Sequence, residues 1–134
     1  MSVENVRSPI DIAISGLKSQ ALRMDVIANN IANSGTTRTA GGQPFRRQDV
    51  LLMSTGGITG VTVAGVTQDM RGEFKRVLQP GHPDADANGY VAMPNIDLPV
   101  EMMHMVAATR AYEANAAVLK RYQDGVDITL ELLR

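Results

Sequence analysis

The chain has 134 residues, 44% of them apolar, with thirteen Lys and Arg against fourteen Asp and Glu and a net charge of -1. That length supports one modest core, and the basic residues fall in scattered pairs such as Arg46-Arg47 and Lys75-Arg76, which excludes the basic stripe of a nucleic-acid binder. With no cysteine, neither a disulfide framework nor a thiolate metal site can hold the fold, so packing must do it.

The first residues, MSVENVRSPID, carry no apolar run of signal-peptide length, and no stretch approaches the ~18 apolar residues of a membrane-spanning helix. The chain is therefore expected to be neither classically secreted nor membrane-spanning. Ser8-Pro9-Ile10-Asp11 predicts a helix start: a Ser cap, Pro at the first helical position and an acidic residue three after the cap. From there Ile10, Ile14, Leu17, Ala21, Met24, Ala28 and Ile31 recur at alternating spacings of four and three, the apolar seam of a coiled coil. Ser19, across the helix from Leu17, is expected to face solvent. Asn33-Ser34-Gly35 should end the helix through a left-handed residue.

The segment Thr36 to Phe45, TTRTAGGQPF, is polar and glycine-rich and predicts a loop. Val61, Val63 and Val66, set among Gly57, Gly60 and Gly65, then Phe74 to Leu78 and Tyr90-Val91, predict short strands joined by turns. A second helix is expected from Leu98-Pro99 almost to Arg134, with Met102, Met105, Thr109, Tyr112, Ala116, Leu119, Gln123, Val126, Leu130 and Leu133 as its seam. Such a helix spans about 50 Å, more than one small domain can cover. Its exposed apolar face implies that both terminal helices order fully only on assembly.

Chemical motifs are sparse. Asp84, Asp86 and Asn88 with Gly89 supply the first half of a calcium loop, but Asn95 stands where the bidentate Glu belongs and Pro80, Pro83 and Pro94 exclude flanking helices. A solvated turn is the expectation, without calcium. Met102, Met103, His104 and Met105 lack a second His at i+4 for a soft-metal site, and His104 is read as a contact residue. No Walker loop, nucleophile elbow or H-E-x-x-H is present, so no catalytic residue, metal or cofactor is assigned and no small-molecule substrate is expected.

Three stretches carry a resemblance: Ile27-Ala28-Asn29-Asn30-Ile31-Ala32-Asn33; Thr36-Thr37-Arg38-Thr39 with Gly42-Gln43-Pro44-Phe45-Arg46-Arg47; and His82 through Val91 into Pro94-Asn95, followed by Glu101-Met102-Met103 through Arg110-Ala111-Tyr112-Glu113-Ala114-Asn115. Together they cover roughly half the chain and resemble the flagellar rod and hook axial family, on its proximal-rod branch. Gly35 stands where that family usually has Asn, and Phe45 where it has Tyr. The resemblance implies a mainly α fold with a small β insertion, in which long terminal helices pack as an antiparallel coiled coil. It divides the chain into a terminal helical part, 1–35 plus 96–134, and an insertion, 36–95. It implies a rod subunit that transmits torque, exported by the flagellar type III apparatus without a cleaved signal into the periplasmic rod. Its partners would be copies of itself, other rod proteins in a helical tube, and the protein joining rod base to export gate. The expected assembly contacts are Ile14, Leu17, Met24, Ile31, Met102, Met105, Tyr112 and Leu119 on the seams, with Asn29, Asn30, Asn33 and Asn115 bonding at junctions. Another rod or hook position, or a small metal-binding regulatory domain, is the alternative.

Overall fold

The computed structural model describes residues 8–56 and 59–134. Gly57, assigned above to a turn, and the first seven residues of the terminal helical part lie outside them. The order is α1 (Pro9–Ala32), β1 (Gln48–Ser54), β2 (Val61–Gln68), β3 (Lys75–Leu78), β4 (Tyr90–Met93) and α2 (Leu98–Leu132), mainly helical with small strand insertions. Among the described residues no helix is long and apolar enough to cross a membrane.

α1 begins through a reciprocal cap. Ser8 Oγ accepts from the Ile10 amide at 3.2 Å, and the Ser8 amide donates to Asp11 Oδ2 at 3.3 Å. Its end differs from expectation. No non-glycine residue has positive φ among those described, and Gly35 is not left-handed. Instead Asn33 closes the last turn itself: its amide and its side-chain Nδ2 both donate to the Asn29 carbonyl. α2 is capped one residue earlier than Leu98-Pro99 suggested, by Asp97, whose carboxylate accepts from the Val100 amide at 3.3 Å.

The two helices run past each other in opposite order: Gly16 meets Asn115, Met24 meets Thr109, and Asn30 meets Glu101. Thr109 Oγ1 bonds the Met105 carbonyl at 2.9 Å and lies 3.5 Å from Met24 Sδ. At Gly16 the approach is close. A Cβ built there would sit 2.8 Å from Asn115 Nδ2, which itself donates to the Ala111 carbonyl at 3.0 Å. Gly16→Ala is therefore expected to dislodge the Asn115 amide and to offset the ~1 kcal/mol that Ala gains over Gly in a helix. Adding Asn115→Ala removes the obstacle. The double variant should melt above the single one, and a double-mutant cycle on thermal unfolding should show coupling of about 1 kcal/mol.

β1 and β2 pair antiparallel from Gln48↔Gln68 to Ser54↔Val61, with a bulge at Leu51/Leu52; β3 and β4 pair from Lys75↔Met93 to Leu78↔Tyr90. β1 was missing from the sequence reading. The β1–β2 hairpin lies against α1, and Ser15 ties the two together: its Oγ accepts from the Val61 amide at 3.2 Å and donates to the Ile12 carbonyl at 2.7 Å. The solvent-facing assignment of Ser19 is corrected by this packing. Ser19 is only 3% exposed, on the side of α1 where Ile14 and Ser15 border a groove of about 620 Å³ with Val61 and Val63, and its Oγ bonds the Ser15 carbonyl. α1 thus has two covered sides, one against α2 and one against the hairpin.

The apolar core is thin. Ala13, Val26, Ile27, Val91, Ile96 and Ala108 are buried, and two of the four largest fully buried side chains are polar, Glu101 and Asn30.

Candidate functional site

The place where α1, β1 and α2 meet is polar and closed. Asn30 sits in the last turns of α1 with no exposed surface. Its side chain copies a backbone pair: Oδ1 accepts from the Gln48 amide and Nδ2 donates to the Gln48 carbonyl, both at 2.8 Å. The same Nδ2 lies 3.3 Å from Glu101 Oε2. Asn29 extends the contact outward, donating to Gln48 Oε1 at 3.1 Å.

Glu101, in the first turn of α2, is 1% exposed. Its second oxygen accepts from Arg47 Nε at 2.6 Å. A carboxylate so fully withdrawn from water stands only with charged and hydrogen-bonded partners, and here they come from two other elements. Arg47 also reaches Asp49 at 3.4 Å, and its Nη2 lies 3.5 Å from His104 Nδ1, which is 3.8 Å from Glu101. Burial is the largest single influence on the guanidinium and pulls its pKa down, but the hydrogen bond and charge of Glu101, helped by Asp49, leave it raised. Arg47 therefore stays a cation in this setting.

A second polar knot joins the 36–47 segment to the turn before β4. Asp84 accepts from Thr37 Oγ1 at 2.8 Å and pairs with Arg38 at 2.5 Å. Asp86 turns the other way, to Arg76, and takes the amides of Asn88 and Tyr90, both at 2.9 Å. The Tyr90 amide is the chief reason its carboxyl is held below the usual range. The two carboxylates thus point to different cations. Among the described residues no group of three or more His, Cys, Asp or Glu is placed to hold a metal ion.

The residues expected at assembly contacts are spread over three settings. Asn30 is buried in the three-element node, and Asn29 and Asn33 bond beside it. Met24, Met105, Asn115 and Leu119 lie half-buried or in contact along the helix pair, while Ile14, Leu17 and Ile31 are half-buried on α1. Met102 and Tyr112 are exposed on α2, 57% and 38% respectively. Sequence reasoning missed Arg47 and Glu101 as a pair. The available signal was an acidic residue in the first turn of a helix whose neighbours are all apolar, Met102 and Met103 following it.

Beyond the pair, α2 continues with no other described element packed on it. Ile10, near the start of α1, lies level with Tyr122 and Val126, and every residue from Lys120 to Arg134 is exposed. That end presents Ile128, Leu130, Leu132 and Leu133. A second apolar patch, Met102, Met103 and Val106, lies at the other end of the helix. A node that ties two long helices to β1, and apolar helix surface without a cover among the described residues, are features of an assembling subunit and not of a binding pocket.

Comparison with known proteins agrees with this description. The family model for flagella basal body rod protein matches residues 10–38, and that for the C-terminal part of flagellar basal body rod FlgEFG proteins matches 87–132, so the class is that of the flagellar basal-body rod. The chain is 40% identical to the flagellar basal-body rod protein FlgC of Borreliella burgdorferi over 133 residues, covering 84% of this chain and 87% of that protein. It is 42% identical to FlgC of Salmonella typhimurium, covering 91% and 93%, and 37% identical to FlgC of Bacillus subtilis, covering 82% and 86%. The chain belongs to the FlgC family of flagellar basal-body rod proteins, structural subunits of the basal body.

Proposed function

We propose that the terminal helices, residues 1–35 and 96–134, are the assembling part of the subunit, packing as an antiparallel coiled coil with each other and onto neighbouring rod subunits, with 36–95 an insertion carried on them. The observation behind this is surface left uncovered. The chain exposes 9449 Å², whereas a compact monomer of 14.4 kDa exposes about 6,800 Å². α2 adds to the surplus, its 35 residues outrunning the 24 of α1 by about 16 Å and every residue from Lys120 on being exposed.

The neighbours are copies of this chain and other rod proteins in a helical tube, with the protein at the rod base next to the export gate at one end. In such a tube the half-buried Ile14, Leu17, Met24, Ile31, Met105, Asn115 and Leu119 hold the helix pair, while Met102 and Tyr112 reach across to neighbours. Torque passes through many small contacts that sum to a stiff whole. The work is done by packing, without catalysis. The subunit reaches the periplasmic rod through the flagellum's own type III apparatus.

Leu130→Asp with Leu133→Asp tests the reading. Both side chains are exposed, 59% and 79%, so the purified subunit should melt at the unaltered temperature. Buried against a neighbour, each carboxylate costs several kcal/mol. Cells carrying the double variant in place of the normal gene should export the subunit yet build no complete rod. Normal basal bodies and swimming in those cells would show that this helix end is not an assembly surface.

A further inference from the structure

We infer that the Asn30–Arg47–Glu101 cluster acts as a register lock, present to choose one alignment of α1, α2 and the β1–β2 hairpin and not to add stability. Heptad-spaced helices can slide by one repeat while still matching apolar residues. In the observed alignment Asn30 faces Glu101 and Gly16 faces Asn115. A slip of seven residues one way carries Asn30 to the level of Ala108 and leaves Glu101 beyond the end of α1. The other way brings Arg23 to the level of Glu101 and parts Asn30 from it.

Either slip breaks the cluster, since Arg47 and Gln48 are joined in sequence and fixed to Glu101 and Asn30 respectively. The burial makes each mismatch costly: Glu101 is 1% exposed and Asn30 fully enclosed. A buried ion pair is a weak source of net stability, because well-packed apolar residues in its place are often neutral or better, whereas leaving one charge unpaired is strongly unfavourable. That asymmetry penalises the wrong alignments without favouring the folded state as such. Because Arg47 and Gln48 lead into β1, the same lock sets where the insertion sits on the helix pair.

The test is the combined variant Arg47→Met and Glu101→Leu in the full chain, with Asn30 kept because it satisfies the Gln48 amide and carbonyl. The protein has no cysteine, so nitroxide labels can be placed uniquely at Ala28→Cys and Ala114→Cys, both exposed. The unsubstituted chain should give one label distance. The combined variant should keep its melting midpoint or gain a few degrees, while its distances split into populations differing by about 10 Å, seven residues at the helical rise. Glu101→Gln, which keeps the hydrogen-bonding shape, should retain one distance. A combined variant with one unchanged distance overturns the lock, and one that melts far lower or does not fold overturns it equally, by showing the ion pair to be a source of stability. No step involves the rod, so failure here leaves the assembly reading standing.

Discussion

Replacing Arg47 alone by Met is expected to destabilise the subunit by about 3 kcal/mol, the lower end of the range for removing one partner of a buried ion pair. Glu101 would keep its position in the first turn of α2, 1% exposed, with Asn30 Nδ2 at 3.3 Å and no full cation against it. The lower end is chosen because the Arg47 side chain is 22% exposed, so water can enter the space it leaves. Chemical denaturation at neutral pH reads the loss directly. Arg47→Met combined with Glu101→Gln should recover most of the loss. A cost below about 1 kcal/mol for the single variant would mean that Glu101 does not depend on Arg47.

Gly60→Val should cost a similar amount for unrelated reasons. Gly60 has φ +91, a conformation that β-branched residues adopt only under strain of about 1–3 kcal/mol. A Cβ there would also lie 2.5 Å from Ser15 Oγ and 3.4 Å from the Ile12 Cα. Ser15 would have to abandon the Val61 amide to make room. The expected sum is about 3 kcal/mol, visible as a fall of roughly 10 °C in melting midpoint. Hydrogen exchange should place the damage: amides of β1 and β2 should speed up while those of α2 from Glu101 to Asn115 hold. Uniform acceleration through α2 would show that the hairpin and the helix pair unfold as one unit.

What could be read from the sequence was what neighbouring residues decide among themselves. The Ser8-Pro9 cap, the strands at Val61, Lys75 and Tyr90, and the approximate limits of both helices follow from local chemistry. The α2 seam did so only in part. Counting apolar residues selected Thr109, which does meet Met24, but also the exposed Met102 and Tyr112, whereas the buried positions of α2 are Glu101 and Ala108, and Asn115 meets Gly16. Polar and small residues mark that side because α1 offers Asn30 and Gly16 there, and nothing within α2 announces the match. Ser19 was misplaced for a related reason. Two helices alone have one inside, but the β1–β2 hairpin gives α1 a second. β1 went unrecognised because its alternation is broken by the bulge at Leu51/Leu52 and its pairing depends on β2.

The order in which the chain comes into being follows from where Asn30 finds its partner. Asn30 and Glu101 are 71 residues apart, so α1 is synthesised well before the first turn of α2 exists. An isolated helix of 24 residues whose inner side includes Gly16 and Asn30 has little to hold it. Until α2 arrives, the segments ahead of it lack the partner that closes them, and that closure must be paid for in chain entropy at the end. A subunit organised this way stays unfinished for most of its synthesis, and its final helix acts as the clasp that ends the waiting.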